Sequence, residues 1–592
     1  MVKPLLTTAS GIQVTGETSD FDVQLQLVSE MEDRLVYQLR LTSTHPAKLL
    51  PLQLNWRQSC HNVKGVWSPN SLYEKRLRAD WEAPQLQSRI SVHAPVLCLF
   101  GHDDKNVLSF ACSDVVNTIV MKAPVREEDN LIYCQIAFFS EEMPLTTEYK
   151  AFILVDRTAV QFGKTLEGIA EWWSSFAHLQ AMPVVPAARL PVYSTWYSYH
   201  QNLSEEALLD ELAIASKMGY GTLIVDDGWQ TLDSNRGYDF TGDWQADRLR
   251  NMPAFVADVH ALGMKCMIWF SVPFCGKKSQ AYQRFKGKFL TENHRWAPVF
   301  DPRHPEVRQY LVDIYCRALK EWNIDGFKLD FIDDFRLYPE TELSQANGRD
   351  CASVNEGVDR LMSEVYRSLR ALKADVMIEF RQKYIGPAMR KFGNMFRAFD
   401  CPNDSVTNRL RTTDVKLLCG DSIVHSDMFT WHYEEEVEMA ALQFTSILFS
   451  VPQLSVRLKE VSEQHRHMIQ HYTRYWLSRE EVLLDGDFVP FSPLANYPLL
   501  RAQKGGVCVW GVYEDVVVSV DGHCEEVDLV NGKLSDQIVI DLQTDMGLCQ
   551  IEVFDCMGQL QVREQRVLQA GLDRLAVPAA GMAQLKKVTA GA

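Results

Sequence analysis

Charged and aromatic residues recur at the ends of short apolar runs in the middle of the chain. Val225-Asp-Asp-Gly-Trp229 closes one run and Gly326-Phe-Lys-Leu-Asp-Phe331 another. Further runs end on Arg381, on Arg397 with Asp400, and on Asp427, while Trp196 and Trp269 hold equivalent places. A single Asp in such a position is commonly a helix cap. Repetition on successive runs instead describes a polar pocket with aromatic walls. Paired carboxylates beside Lys328, without a metal-ligand constellation, suit cleavage of a glycosidic bond. One attacks or activates water while the other protonates the leaving oxygen. Neighbouring cations would keep the first ionised, and burial or nearby negative charge would keep the second protonated.

Such residues need a scaffold that brings distant strand ends together. The apolar runs predict eight strands, at Pro191–Trp196, Thr222–Asp227, Lys265–Phe270, Gly326–Phe331, Val376–Arg381, Met395–Asp400, Ser422–Asp427 and Gln453–Val456. Helical periodicity fits between them at Glu205–Met218, Pro253–Leu262, Pro305–Trp322, Val354–Leu372 and Glu434–Phe449, with Ser204 as N-cap and Gly219 as C-cap of the first. This alternation predicts a (β/α)8 TIM barrel, whose catalytic groups project from the C-terminal strand ends. A doubly wound open sheet is the alternative, but no Gly-x-Gly-x-x-Gly turn follows any strand.

The flanks have another rhythm. Apolar residues alternate from about residue 10 to 180, as in Leu35-Val-Tyr-Gln-Leu-Arg-Leu41, and again after Asp485, as in Val507-Cys-Val-Trp-Gly-Val-Tyr513. A helical stretch, Thr165–His178, and the Pro-rich linker Met182–Pro191 lead into the barrel. The expected architecture is multidomain: an N-terminal antiparallel β-supersandwich over 1–181, a catalytic barrel over 182–484 and a C-terminal antiparallel β-sandwich over 485–592. With 60 Lys and Arg against 77 Asp and Glu, the net charge of −17 argues against nucleic acid as a partner. No apolar run approaches the ~18 residues of a spanning helix, which argues against a membrane location. Met1–Thr8 lacks the pattern of a signal peptide, and the 14 Cys lie scattered without a Cys-x-x-Cys pair. A cytoplasmic protein with reduced thiols is expected, and a homo-oligomer is compatible with all of this.

The motifs at 225–229 and 326–331, with Ser194-Thr-Trp196, Met218-Gly219 and the order sandwich, barrel, β-domain, resemble the α-galactosidases of glycoside hydrolase family 36, melibiase-like enzymes of clan D. The resemblance is specific across Val192–Asp333; for the flanking domains it rests on order and strand pattern. It implies a retaining exo-α-galactosidase that needs no cofactor or metal and acts on α-galactosyl oligosaccharides such as melibiose or raffinose. By the same resemblance Asp330 is the nucleophile, and Lys328 beside it hydrogen-bonds the sugar. Asp226 and Asp227 bind the axial 4-hydroxyl and the 6-hydroxyl, and Trp269 lines the sugar subsite with Trp229 packing nearby. Trp196, Arg381 and Arg397 complete the binding set. The acid/base belongs in Arg397-Ala-Phe-Asp400-Cys-Pro-Asn-Asp404, where Asp400 matches best and Asp404 is the rival. Ile378-Glu-Phe-Arg-Gln382 stands where the family has a Gly-rich segment ending in Arg. Three alternatives remain at this level: an α-galactosyltransferase of the raffinose- or stachyose-synthase type, an α-N-acetylgalactosaminidase, and a sugar-binding protein on a retired barrel.

Weaker signals have structural readings. His465, His467 and His471 lie in a helical pattern without a His-Glu-x-x-His element, so helix-face roles are expected. Gly505-Gly506 reads as a hairpin turn. Trp67 reads as core, with a reach over the barrel mouth through Gly65–Asn70 as the alternative.

Overall fold

Eight short parallel strands form the centre of the molecule in a computed structural model that describes residues 4–18 and 20–588. Met1–Lys3, part of the segment read for a signal peptide, lie outside the described residues. The strands are Val192–Ser194, Thr222–Val225, Lys265–Ser271, Gly326–Asp330, Met377–Arg381, Met395–Arg397, Ile423–His425 and Gln453–Leu454. Each of the first six pairs with the next, and the eighth pairs back onto the first. Parallel bridges His425–Val451 and Phe429–Leu454 close the ring on the remaining side. Every residue of Thr222–Val225, Gly326–Asp330 and Met377–Arg381 is buried, because side chains face either the barrel interior or the helices outside.

Local chemistry sets the crossovers. Ser204 caps Glu205–Met218 by accepting from the Ala207 amide, and Gly219 ends it in the left-handed conformation, φ 103°. The other long helices of the barrel region are Met252–Ala261, Pro305–Trp322, Val354–Leu372, Ser405–Lys416, Val437–Thr445 and Glu463–Asp485. The helix expected at Glu434–Phe449 is shorter, beginning after Glu436, whose backbone is extended. Between the fifth and sixth strands the chain makes only a 3-10 turn, Met389–Lys391. The helix Phe162–Ser174, which precedes the barrel, packs there, and Arg390 Nη2 donates to its Ala170 carbonyl at 3.3 Å.

The described residues up to Asp156 form a seven-stranded and a six-stranded sheet. They share one apolar core, in which Trp56 of the first meets Phe110 of the second edge to face at 4.8 Å. After Asp485 come a seven-stranded and a three-stranded sheet. These are mixed, correcting the expectation of purely antiparallel sheets: Val507–Val512 runs parallel to Glu526–Asn531, and Val517–Val520 to Gln537–Leu542. The chain alternates between the two sheets, so successive strands of one sheet return in the same direction. Gly505-Gly506 makes the two-residue turn between paired Lys504 and Val507. No described helix is long and apolar enough to cross a membrane.

Trp67 does not reach the barrel mouth. It is fully buried, and its Nε1 donates to Asp414 Oδ1 at 2.9 Å. Lys75 and Tyr497 hold the same carboxylate at 2.9 and 2.6 Å. One buried Asp thereby ties the N-terminal sheets, a barrel helix and the C-terminal region together. Removing a partner from such a site is far more costly than losing a surface pair.

Candidate active site

A cavity of ≈ 550 Å³ opens at the C-terminal ends of the barrel strands. Eight of the residues picked out from the sequence line it: Trp196, Asp226, Asp227, Trp269, Lys328, Asp330, Arg381 and Asp400. They come from the ends of six strands, so only ring closure makes them neighbours.

Asp330 is the most heavily coordinated. Its Oδ1 accepts from Arg381 Nε at 2.6 Å, the Phe331 amide at 2.7 Å and Tyr384 Oη at 3.1 Å. Phe331 adopts left-handed backbone, φ 65°, which turns its N–H back onto that oxygen. Oδ2 accepts from Trp269 Nε1 at 2.9 Å. Burial alone would raise this carboxyl, but Arg381 and Lys328, with the Trp269 hydrogen bond, outweigh it and hold Asp330 well below the usual carboxylate range.

Asp226 pairs with Lys328 Nζ at 2.5 Å, and its amide is fixed by Thr195 Oγ1 at 2.9 Å. Asp227 lies between two amides, accepting from Gln201 Nε2 at 2.7 Å and Gln230 Nε2 at 2.6 Å. Burial pushes its carboxyl up to about 6, against those two hydrogen bonds and with help from Asp226 and Asp330. The inner end of the cavity thus holds two acceptors of different character, one ion-paired and one amide-bound.

Asp400 lies in the loop after the sixth strand, its side chain 40% exposed toward the cavity. Arg397 Nη1 stands 2.9 Å from its Oδ1 and also binds Asp427, while its Nε faces Glu379 at 3.5 Å. Desolvation opposes ionisation of Asp400, but Arg397, then Lys328 and Arg381, bring it below the usual range. This reverses the expectation that the second carboxylate is kept protonated. Asp427, fully buried behind Arg397, is instead raised: burial and the Asp400 charge push it up to about 6. It binds Tyr197 Oη and the Cys401 amide and does not line the cavity.

Three other expected residues fall outside the cavity wall. Arg397 lies beneath it, 1% exposed, as the cation that positions Asp400 and Asp427. Trp229 is fully buried behind Trp269, stacked on Trp244, and donates to the Trp269 carbonyl at 2.9 Å. It steadies the wall without touching its contents. Asp404 is exposed and caps Ser405–Lys416, accepting from the Thr407 amide at 2.9 Å. A carboxylate held there cannot serve the cavity. Asp404→Ala is therefore expected to cost about 1 kcal/mol in unfolding free energy as a lost N-cap and to leave turnover unchanged, checked by denaturant titration beside a rate assay.

The cavity also uses residues that periodicity does not mark. Tyr238 stacks on Trp269 with ring centroids 6.1 Å apart, and Trp296 meets Tyr238 edge to face at 5.8 Å. Tyr238 and Trp296 sit in long loops. Gln201 and Tyr197 follow the first strand closely and were legible in principle by position. His465, on the helix Glu463–Asp485, accepts from Trp431 Nε1 at 3.3 Å and donates to the Glu435 carbonyl at 3.0 Å. Among the described residues no group of three or more His, Cys, Asp or Glu is placed to hold a metal ion.

Fold and site together define a (β/α)8-barrel protein with a carboxylate-lined pocket at the barrel mouth and β-sheet regions on either side. Solved structures of that kind are similar over nearly the whole chain. A glycoside hydrolase family 36 α-galactosidase of Geobacillus stearothermophilus, in complex with 1-deoxygalactonojirimycin, aligns with TM-score 0.65 at 12% identity, covering 99% of this chain and 85% of its own. The α-galactosidase of Lactobacillus brevis gives 0.63 at 13%, covering 99% and 87%. An α-galactosidase of Thermus thermophilus gives 0.51 at 14%, covering 83% of this chain and 99% of its own. The chain shares the fold of these enzymes. No protein-family model matches the sequence, and no curated protein matches it.

Proposed function

We propose that this protein is a retaining exo-α-galactosidase of the family 36 kind, with Asp330 as nucleophile and Asp400 as acid/base. The flanking sheets are read as the sandwich domains that accompany such a barrel. The observation that carries the reading is the placement of two unlike carboxylates, from the fourth and sixth strands, in one cavity. Asp330 is held ionised by Arg381 and Lys328. Its Oδ1 is occupied by three donors and its Oδ2 by one, so Oδ2 is the attacking oxygen. In the first step Oδ2 bonds to the anomeric carbon as the glycosidic C–O bond breaks, and Asp400 delivers its proton to the leaving oxygen. In the second, Asp400 takes a proton from water, whose oxygen displaces Asp330. The relatives with bound sugars support this substrate class, among them Geobacillus α-galactosidases solved with stachyose and raffinose. The fourteen free cysteines fit a reducing, cytoplasmic location.

Asp226 and Asp227 are read as the acceptors for the 4- and 6-hydroxyls. Asp227→Ala is expected to lower kcat/KM on α-galactosides at least tenfold, since losing a buried acceptor costs about 1–3 kcal/mol. Asp226→Ala would in addition strand Lys328 without its partner, so Asp226→Asn is the cleaner probe. The deciding experiment is turnover of aryl α-galactosides, α-glucosides and α-N-acetylgalactosaminides, with and without sugar acceptors. Faster cleavage of the α-glucoside or the α-N-acetylgalactosaminide, or transfer that outruns hydrolysis, overturns the assignment.

A further inference from the structure

The outer half of the cavity has a different charge balance from its floor. Three of its acids are paired with a cation: Asp226 with Lys328, Asp330 with Arg381 and Asp400 with Arg397. Asp333 stands 3.7 Å from Arg381 Nη2, and Asp334 lies 3.4 Å from His294 Nε2. Arg89, Arg295, Arg336 and Lys383 line the same cavity. The structure gives none of them a carboxylate within ion-pair distance among the described residues.

Arg89 is the most unusual of the four. It arrives from the N-terminal β-region, whose segment docks on the barrel mouth through Ser91 Oγ to the Phe335 carbonyl at 3.4 Å and the His93 amide to the Lys383 carbonyl at 2.8 Å. The residue is more than nine-tenths buried, at 8% exposure. Its hydrogen bonds are to Ser91 Oγ at 3.2 Å and the Asp333 carbonyl at 3.4 Å, both uncharged. Burial works against its charge; the more distant carboxylates of Glu141 and Asp333 offset part of that, and Arg336 adds repulsion. A guanidinium kept in this state offers its remaining donors to whatever enters the cavity. Arg336 stacks on Tyr338 and Arg295 on Trp296, each at 4.9 Å, which holds their charges near the mouth. In a chain of net charge −17 this is a local reversal of sign.

We propose that the leaving-group side of the pocket is built for an aglycone carrying an anionic group, a carboxylate or a phosphate, seated on Arg89 and flanked by Arg336 and Lys383. The inference rests on the α-galactosidase reading for the sugar and deepens it by naming the class of substrate.

The test uses two matched pairs: aryl α-galactosides bearing a ring carboxylate or its neutral carboxamide, and α-galactosyl glycerol with or without a terminal phosphate. The anionic member of at least one pair is expected to have a kcat/KM about tenfold higher or more, mostly through KM, with the advantage shrinking as salt is added. The pair that responds identifies the anion. Arg89→Gln and the exposed Arg336→Gln should each shrink the anionic-to-neutral ratio several-fold, the second guarding against a folding defect in the first. Equal or lower values for the anionic member of both pairs overturn the proposal, whatever the absolute rates. If no α-galactoside is turned over, the sugar assignment fails and binding decides the charge question. Titration of tryptophan fluorescence with 3-hydroxybenzoate and glycerol phosphate, against 3-hydroxybenzamide and glycerol, should then show saturable binding of an anion that Arg336→Gln weakens. No anion binding overturns it.

Discussion

Asp330→Gly is expected to hydrolyse α-galactosides about 10⁴-fold more slowly than the parent, the scale seen when a nucleophile that works as part of a unit is removed. Nothing nearby can replace it. Asp226 is committed to Lys328 and Asp227 to two glutamines, and Arg381 would lose the carboxylate it binds at 2.6 Å. The vacated space beside Trp269 should admit azide, which attacks the anomeric carbon from the face Asp330 used and yields the β-galactosyl azide. In the parent, proton NMR should show α-galactose as the first product, because two displacements restore the original configuration. β-Galactose appearing first would replace double displacement with inversion, which calls for carboxyl groups ~6.5–9.5 Å apart in place of ~5–5.5 Å.

Asp400→Ala should divide substrates by leaving group. Those with poor leaving groups are expected to slow by about 10²–10⁴-fold, the usual contribution of a general acid. Activated aryl galactosides, which need little protonation, should keep the first step, and azide should intercept the intermediate to give the α-azide. The pH dependence carries a second signature. Arg397 holds the Asp400 carboxyl below its ordinary range in the free enzyme, so the protonated form needed for glycosylation exists only on the acid side. Asp330, held well below the usual carboxylate range by Arg381 and Lys328, stays ionised there. For a poor leaving group kcat/KM should therefore fall as pH rises through the Asp400 titration, whereas for an activated one it should stay flat. A flat profile with both substrates would remove Asp400 from the acid role.

Much of this candidate site is legible in the sequence because parallel strands buried on both faces appear as continuous apolar runs, and residues near the end of each run lie toward the barrel mouth. Asp226, Asp227, Trp269, Lys328, Asp330 and Arg381 follow from that geometry alone. Asp404 shows its limit. Four residues from Asp400 and chemically identical, it caps a helix, a distinction made by where the sixth strand stops and the next helix begins. Trp229 and Arg397 show another: both belong to the site's neighbourhood, yet only packing decides that one stands behind the wall and the other beneath it.

Residue types and their spacing by themselves determined the barrel and the approximate position of its strands, and pointed to the chemistry proposed above, since local burial and periodicity are written in short segments. Protonation states and the outer boundary of the pocket were decided by tertiary structure alone. The charge on Asp400 depends on a guanidinium fixed at 2.9 Å, and its contrast with Asp427 depends on which carboxylate lies behind that cation. Arg89 enters the cavity from more than 200 residues away in the chain, and no local pattern encodes that approach. Electrostatic interactions depend on distance and solvent access in three dimensions, and those quantities exist only once the chain has folded.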